Sequence, residues 1–423
     1  MDRSRAFCMI EGIDVQDYLI GTYFVGANKD VDIFRYAESI VVEQTTGTWL
    51  SVPEETFKLK ARHGGRVLGI FEIPAYETMI PAEVGTRQFI LRLGFPIVNF
   101  GKNIPMMLST IFGNISSFGT IKLLDIDFPE KYAKMFNGPK FGIEGVREIL
   151  KVYDRPLLLD IIKPCTGFSP EVGAHLFYEA ASGGLDIIKD DELLANPAFC
   201  PLETRVKKYM EQCNRVFEET GKTVLYAANV TQRPDRIYDY ARRAIDAGAN
   251  ALMVNFVTAG LASIETLAGA GDIQVPILGD SDFGGAFSVS PVCGVSSALM
   301  QGKLARLLGL DMALVFNPYG RFPILRDQYL RTCYDLIQPL FKIRPSFPVV
   351  GGGTHPGQVG WMMNDLGIDF IIGAGGAIHG HPMGSQAGTK AFFQVIRAMQ
   401  LNESLDDAAQ HNDELRVAIE IWK

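Results

Sequence analysis

One short stretch of the sequence places charged side chains directly after an apolar run. Residues 183–192 are Gly-Gly-Leu-Asp-Ile-Ile-Lys-Asp-Asp-Glu, so Lys189 and three carboxylates follow what the pattern predicts to be a buried strand. Burying adjacent acids beside one lysine is unfavourable unless something neutralises them, and a divalent cation does so. Carboxylate oxygens suit Mg2+, so the stretch predicts a magnesium site. A solvated acidic loop is the alternative for this motif taken alone.

Two glycine clusters predict an anion site. Residues 351–354 are Gly-Gly-Gly-Thr, and residues 373–376 are Gly-Ala-Gly-Gly. Glycine allows backbone N–H groups to approach an anion closely, and the loops after the last two strands of a (β/α)8 barrel are a recurrent phosphate site. Plain tight turns are the alternative. Because there are two clusters, we expect phosphate to be bound by Gly352, Gly353, Gly375 and Gly376.

Lys163 ends another apolar run, in Ile162-Lys163-Pro164. An inward-facing lysine at a strand end is either a salt-bridge partner or a general acid or base. Near a metal ion the pKa of its amine falls, which allows proton transfer near neutral pH. Lys163 is therefore a candidate catalytic residue.

Three histidines lie near the glycine clusters, at His355, His379 and His381. The pair His379 and His381 could be taken for metal ligands. We expect instead that these rings form hydrogen bonds with loop backbone.

The elements that must position these residues form a repeating pattern from about residue 150 onward. Each apolar, strand-like run ends in a polar residue or glycine, and a helix-like segment follows it. Eight even repeats predict an α/β fold, a (β/α)8 TIM barrel, rather than a doubly wound open sheet. Its active face is the C-terminal end of the strands. Strands are predicted over residues 157–162, 185–188, 224–228, 251–254, 275–278, 313–316, 347–350 and 370–372.

The N-terminal third of the chain has a different pattern. Strand-like runs at 20–25, 48–52, 66–73 and 88–92 predict an α+β, ferredoxin-like domain over residues 1–135. The barrel domain is then predicted over residues 136–423, with a polar helical tail after about residue 385.

Composition limits the class of protein and its partners. The chain has 423 residues, of which 47% are hydrophobic and 21% charged, as in ordinary soluble globular proteins. A net charge of -8 argues against nucleic acid, although it allows a phosphorylated small molecule. No apolar run reaches the length of a membrane span, so no membrane partner is expected. Six cysteines without a CxxC pair predict reduced thiols and a cytoplasmic location.

Together these motifs resemble ribulose-bisphosphate carboxylase (RuBisCO) and its non-carboxylating relatives, the RuBisCO-like proteins. The likeness covers nearly the whole chain, and the stretch 183–192 is its most specific part. The other matching segments are Glu-Gln-Thr-Thr-Gly-Thr-Trp at 43–49, Gly113-Asn114, Lys163-Pro164 with Gly-Phe-Ser at 167–169, Gly375-Gly376, and Gly-His-Pro-Met-Gly at 380–384.

The resemblance implies a cofactor and an assembly. Lys189 would react with CO2 to form a carbamate, which joins Asp191 and Glu192 in binding Mg2+. The metal would polarise a substrate carbonyl and stabilise an enediolate. The resemblance further implies a homodimer, or a dimer-based oligomer, with active sites at the subunit interface. There the partner's site would be completed by the catalytic residues Glu43 and Asn114 and the phosphate-binding residues Thr48 and Trp49.

Several positions depart from the family pattern. Asp280-Ser281 stand where the family has a His-Arg pair after strand five, and residues 314–317 contain no counterpart of its strand-six histidine. That arginine and histidine hold a second phosphate, so their loss predicts a substrate with one phosphate. Asp280 is expected to face the substrate instead. Near Gly320-Arg321 the mobile lysine that assists carboxylation is missing, so CO2 fixation is not expected, and Arg321 is predicted to contact the substrate. Cys165 and Gly351 replace a lysine and a serine.

These expectations describe a non-carboxylating, Mg2+-dependent enzyme that forms an enolate from a monophosphorylated keto-sugar or keto-acid. It would be an isomerase or enolase, or a decarboxylase or hydrolase such as one acting on 3-oxo-isoapionate 4-phosphate. One alternative is a non-catalytic metabolite-binding or regulatory protein. Another is a barrel aldolase that forms a Schiff base on Lys163 or Lys189, although the acids beside Lys189 disfavour it by raising the amine pKa.

Overall fold

The chain folds into two units in a computed structural model that describes residues 6–47 and 52–422. The first unit contains residues 1–136 and 283–300, and the second contains residues 137–282 and 301–423. Strands and helices are numbered below in chain order over both units.

The first unit is built on one five-stranded sheet with the order β10-β4-β1-β3-β2. Strands β1 to β4 pair antiparallel, and β10 adds to β4 in parallel. The sequence β1-α1-β2-β3-α3-β4 with this order is the ferredoxin-like arrangement, as predicted. The strands are β1 Tyr18–Asn28, β2 Arg66–Glu72, β3 Thr86–Pro96, β4 Ile121–Asp127 and β10 Gly294–Val295; the helices are α1 Ile33–Glu43, α2 Phe57–His63, α3 Ile104–Phe112, α4 Glu130–Ala133 and α11 Gly285–Ser288.

Helix α1 shows why these residues form a helix and how it presents its last residue. The Asp32 side chain caps its first turn by accepting hydrogen bonds from two backbone N–H groups. Its buried residues Ile33, Ala37, Ile40 and Val41 recur at helical spacing and form one apolar face. This packing fixes the helix end at which Glu43 lies.

The second unit is a closed barrel of eight parallel strands, which confirms the predicted TIM barrel. Closure comes from the pairing of β13 with β5 and of β9 with β11. The strands are β5 Leu157–Ile161, β6 Ile187–Lys189, β7 Leu225–Asn229, β8 Ala251–Asn255, β9 Ile277–Asp280, β11 Met312–Phe316, β12 Phe347–Gly351 and β13 Ile371–Ala374.

Helices connect these strands and form the C-terminal tail. Helix α6 begins at Pro170, where Ser169 caps the first turn. The others are α5 Gly142–Leu150, α7 Leu202–Thr220, α8 Ile237–Asp246, α9 Phe256–Ala259, α10 Ala262–Gly269, α12 Ala305–Leu308, α13 Arg326–Ile337, α14 Val359–Leu366, α15 Gly376–His379, α16 Ser385–Gln400, α17 Leu405–Gln410 and α18 Asp413–Ile421.

Alternation along the strands decides which side chains enter the barrel. The apolar core contains every second residue, such as Ile187 of β6, Met253 of β8 and Leu278 of β9. Two residues further along, at the C-terminal ends of the strands, the side chains that point into the barrel are polar. These are Lys189, Asn229, Asn255 and Asp280.

Two segments differ from the sequence-based prediction. Residues 283–300 were expected in the barrel domain, but they join the first unit because β10 extends its sheet. The strand predicted over 48–52 falls on residues outside the described ones, apart from Val52, which is not in a strand.

No helix in the described part of the chain is both long and apolar enough to span a bilayer. All six cysteines have free thiols.

Candidate active site

The amine of Lys189 lies at the centre of the polar end of the barrel. It is fully buried, and its Nζ is 2.9 Å from Asp280 Oδ2 and 3.2 Å from Glu192 Oε2. Burial alone would lower the pKa of this amine, but the carboxylates of Asp280, Glu192 and Asp191 outweigh that effect and raise it. In this state Lys189 is a protonated ammonium ion at neutral pH.

Lys163 forms the second ion pair of the site. Its Nζ bonds to the carboxylate of Asp191 and lies 3.2 Å from the sulfur of Cys165. A lowered amine pKa was expected beside a metal ion. Here burial lowers the pKa of Lys163, but the Asp191 carboxylate more than offsets this and the pKa is raised.

Two asparagines fix the backbone of the acidic loop after β6. The side-chain amide of Asn229 donates to the carbonyl oxygens of Asp191 and Glu192, both at 3.2 Å. That of Asn255 also donates to the Glu192 carbonyl, at 3.0 Å. The backbone of the two predicted metal ligands is therefore tied to the ends of β7 and β8.

Asp190 faces the opposite way, out of the barrel. Its fully buried carboxylate accepts hydrogen bonds from Arg205 at 3.0 Å, from the Tyr226 hydroxyl at 2.9 Å and from the Asn229 backbone N–H at 2.8 Å. The Arg205 guanidinium neutralises it. Asp190 therefore anchors the loop and leaves Asp191 and Glu192 to face the site.

The charges inside the barrel do not balance. Among the residues that the structure describes, two amines, Lys163 and Lys189, oppose four carboxylates: Asp191, Glu192, Asp280 and the half-buried Asp282. Burial, together with Asp280 and Glu192, raises the pKa of Asp282 to about 6. This excess of negative charge fits a divalent cation. In the described ranges, no three His, Cys, Asp or Glu side chains form a ready-made metal cluster.

The glycine cluster after β12 has the geometry of a close backbone approach. Gly352 and Gly353 have φ angles of 105° and 80°, in the left-handed region that side chains disfavour. A Cβ on Gly352 would lie 2.7 Å from the Phe322 ring, and one on Gly353 would lie 2.8 Å from the Arg321 backbone nitrogen. Arg321 is thus beside this cluster; its contact with substrate remains a prediction.

The glycine cluster after β13 packs against β5. A Cβ on Gly375 would lie 2.6 Å from the Ile161 carbonyl oxygen and 3.1 Å from Cε of Lys163. One on Gly376 would meet only open space. The structure therefore brings the β13 glycines and Lys163 together.

The loop after β11, residues 317–325, is bonded to the loop after β12. Buried Asn317 donates to Thr354 Oγ1 at 3.1 Å and to Gln358 Oε1 at 2.8 Å, and Gln358 donates to the Tyr319 carbonyl at 2.5 Å. Tyr319 also donates its hydroxyl to Asp365 at 2.7 Å. We call residues 317–325 the β11 loop, and we describe it as docked because these hydrogen bonds hold it against the loop after β12.

The three histidines differ in their partners. His379 contacts side chains, with Nε2 2.9 Å from Asp160 Oδ2 and Nδ1 3.2 Å from Ser385 Oγ. The expectation of backbone contacts is therefore wrong for the side chain of His379. It holds for His381, whose Nδ1 accepts from the loop backbone N–H of Met383 at 3.1 Å, while its Nε2 is 2.9 Å from the Glu414 carbonyl in α18. Burial lowers the pKa of His355.

Two predicted site residues of the first unit lie side by side. Asn114, just after α3, donates its amide to Glu43 Oε1 at 3.2 Å, although 71 positions separate them in the chain. Thr48 and Trp49, predicted to bind phosphate, lie outside the described residues.

Comparison with known proteins decides the family. The model of the ribulose bisphosphate carboxylase large chain, catalytic domain, matches residues 142–317 and 325–422, and that of its N-terminal domain matches residues 13–132. The chain belongs to the RuBisCO large-chain family. The catalytic-domain match omits residues 318–324, which lie in the β11 loop.

Relatives within the RuBisCO family include non-carboxylating enzymes. A ribulose bisphosphate carboxylase-like protein of Archaeoglobus fulgidus is 46% identical over 404 residues, which are 95% of this chain and 92% of the relative. The 2,3-diketo-5-methylthiopentyl-1-phosphate enolase of Bacillus pumilus is 37% identical over 96% of this chain and 98% of its own length.

Solved structures of RuBisCO relatives have the same fold. The RuBisCO-like protein MtnW of Alicyclobacillus acidocaldarius superposes with a TM-score of 0.88 at 34% identity, over 96% of this chain and 100% of that one. A dimeric archaeal RuBisCO from Hyperthermus butylicus gives a TM-score of 0.87 at 29% identity, over 99% of each chain.

Proposed function

We propose that this RuBisCO-family protein is a Mg2+-dependent, non-carboxylating enzyme that forms an enolate from a monophosphorylated ketone. The observation that supports this most directly is the arrangement at the C-terminal end of the barrel. Two lysine–carboxylate pairs lie there, the one at Lys189 fully buried and the one at Lys163 partly exposed, and Gly375 lies against the stem of Lys163. Polar groups collected at this end of a barrel are typical of catalysis.

The metal would be held by Asp191, Glu192 and the carbamate of Lys189. Asp191 and Glu192 would supply two carboxylates, and conversion of the Lys189 amine to a carbamate would add a third anionic oxygen in the same place. When bound, the cation polarises a carbonyl and stabilises negative charge on its oxygen. Asn229 and Asn255 keep the ligand loop fixed through its backbone.

Lys163 is the proposed proton carrier. Its Nζ is now held by Asp191, and the raised pKa keeps it protonated. Asp191, as a ligand of the cation, would no longer raise the pKa of Lys163, and the Lys163 amine could then release and accept a proton near neutral pH. The same contacts disfavour a Schiff-base aldolase, because both lysines lack the neutral amine that attacks a carbonyl.

The phosphate would bind at the glycine clusters, with Arg321 beside them. A second phosphate finds no matching partner at the ends of β9 and β11. Asp280 presents a carboxylate there, and Phe316 presents a ring whose centroid is 4.6 Å from that of the tilted Phe322 ring. A substrate with one phosphate fits this arrangement, as does the substrate in the name of the Bacillus pumilus enolase.

The first test is enolisation of 2,3-diketo-5-methylthiopentyl 1-phosphate by the purified protein with Mg2+ and bicarbonate. We expect deuterium from the solvent to enter the substrate carbon that loses its proton, and this exchange to stop in Lys163→Met. With ribulose 1,5-bisphosphate, labelled bicarbonate should not appear in product. If Mg2+ and bicarbonate alter neither exchange nor turnover for this or other sugar monophosphates, the protein is a binding protein rather than an enzyme.

A second prediction concerns assembly. We propose a dimer-based oligomer in which Glu43 and Asn114 of one subunit complete the site of its partner. Glu43→Gln and Lys189→Met should each be inactive, yet co-expression of the two variants should restore about a quarter of wild-type activity, because half of the dimers are mixed and each has one intact site. Co-expression of Lys163→Met with Lys189→Met should restore none, if both residues act in the same subunit's barrel. If the two co-expressed pairs of variants recovered the same activity, an active site shared between subunits would be contradicted.

A further inference from the structure

The imidazole of His379 joins three parts of the barrel. Its Nε2 is 2.9 Å from Asp160 of β5, and its Nδ1 is 3.2 Å from the hydroxyl of Ser385, the first residue of α16. Its backbone N–H donates to the carbonyl of Gly375 at 2.9 Å. A single residue therefore connects β5, the β13 glycine cluster and the start of α16.

Asp160 makes this contact at a cost to stability. Its side chain points out of the barrel, because Leu157 and Leu159 point in, and it is fully buried. Its Oδ1 has no hydrogen-bond partner among the residues that the structure describes. A buried carboxylate with one oxygen unpaired costs free energy that an apolar residue at this position would not. Such costs are expected where function requires the group.

The geometry around Gly375 indicates what that function is. Gly375 lies against Ile161 and the stem of Lys163, and its own carbonyl is bonded to His379. The position of the β13 glycines relative to β5 therefore sets the distance between the phosphate-binding backbone and the Lys163 amine. The His379–Asp160 bond lies between those two elements, on the outer side of the barrel wall.

We propose that His379 is a positioning residue for the reaction. By holding Asp160, it fixes the β13 glycines against β5, so that a bound phosphate places the reacting carbon at the right distance from Lys163. The inference rests on the proposed function, because it assumes that the glycines hold phosphate and that Lys163 moves the proton.

The expected signature is a loss of turnover without a loss of binding. Misplacement of a reacting group by about 1 Å can cost roughly 100-fold in rate, so His379→Leu should lower kcat for 2,3-diketo-5-methylthiopentyl 1-phosphate by about that factor. KM and the Kd for inorganic phosphate should change little, because the glycine N–H groups remain. His379→Gln can place an amide N–H near the Nε2 position, so it should recover much of the lost kcat.

His381 provides a matched control in the same loop. Its ring is also buried, but its Nε2 contacts the Glu414 carbonyl in α18 and not β5. His381→Leu should lower the melting temperature and leave kcat unchanged at a temperature where the protein is folded. A purely structural role of His379 would give the same result in His379→Leu.

The outcomes separate this inference from the proposed function. If wild type shows neither phosphate binding nor turnover, the proposed function fails, and the inference with it. If wild type is active but His379→Leu matches His381→Leu in kcat, or loses phosphate affinity as steeply as kcat, the positioning role is refuted. Should His379→Leu not fold, Asp160→Leu decides, because it removes the same contact from the β5 side: wild-type kcat in Asp160→Leu would refute the positioning role as well.

Discussion

Replacing Lys189 with methionine is expected to abolish Mg2+ binding at the barrel. The carbamate oxygen is lost, and since even indirect supports of a metal ligand are worth roughly 10- to 100-fold in affinity, the loss should exceed about 100-fold. Removing the ammonium also leaves the buried Asp280 unpaired, which costs about 3–5 kcal/mol, so folding must be checked by circular dichroism. Calorimetric titration of Mg2+ in the presence of bicarbonate measures the effect.

Two further lysine variants make that result specific. Lys189→Arg keeps a positive charge beside Asp280 but cannot form a carbamate, so it should fold well and still fail to bind Mg2+. Lys163→Met removes a cation next to Asp191, so its Mg2+ affinity should be retained or increased while turnover is lost. Undiminished Mg2+ affinity in both Lys189 variants would show that the metal assignment is wrong.

The activation of Lys189 should also depend on pH. CO2 reacts with the neutral amine, and the surrounding carboxylates raise the pKa of this amine. The neutral fraction therefore grows as pH rises, so carbamate formation in wild type should be faster at alkaline pH.

Neutralising Asp280 should change the preference for substrate charge. With Lys189 converted to a carbamate, the Asp280 carboxylate has no Lys189 ammonium beside it, and at about 6 Å it would repel a phosphate by roughly 1–3 kcal/mol at an effective dielectric constant of about 20. Wild type should therefore bind ribulose 5-phosphate more tightly than ribulose 1,5-bisphosphate. Asp280→Asn preserves the shape of the side chain and should narrow that difference by about 10-fold or more, measured by competition binding.

Asp369→Asn is the control for this experiment. Asp369 lies just before β13, at the opposite end of the barrel, where its half-exposed carboxylate pairs with Arg147. Asp369→Asn makes the same change in net charge far from the site, so the preference for ribulose 5-phosphate over ribulose 1,5-bisphosphate should stay as in wild type. Tighter binding of the bisphosphate by wild type would refute the role given to Asp280.

The sequence predicted the barrel because its signal is local. Each strand is a short apolar run, and the polar residue that ends it follows within one or two positions, so the pattern indicates both the strand and the direction of its last side chain. Lys189 and Asp280 were both placed at the C-terminal ends of barrel strands on that basis, and the structure has their side chains there, 2.9 Å apart. The acids beside Lys189 were expected to raise its pKa; Glu192 and Asp191 do so, but Asp280 at the end of β9 is the larger cause.

Features that depend on distant partners could not be predicted in this way. Residues 283–300 have no strand signal of their own, and β10 exists because β4 offers an edge. Asp160 resembled any residue in an apolar run, since nothing nearby in the chain indicates that His379, 219 positions later, would reach it. Asp282 was missed for a similar reason, because its raised pKa reflects burial, Asp280 at the end of β9 and carboxylates in the loop after β6.

The docked β11 loop has a consequence for the timing of catalysis. Gly320 approaches Gly352 so closely that a Cβ would lie 2.0 Å from its carbonyl oxygen, and Asn317 and Gln358 fasten the same two loops. The β11 loop therefore loses its conformational entropy once, when the protein folds, and does not lose it again in every catalytic cycle. An enzyme built in this way has no need to wait for the segment to close over each substrate, so its turnover should be insensitive to solvent viscosity unless another segment moves.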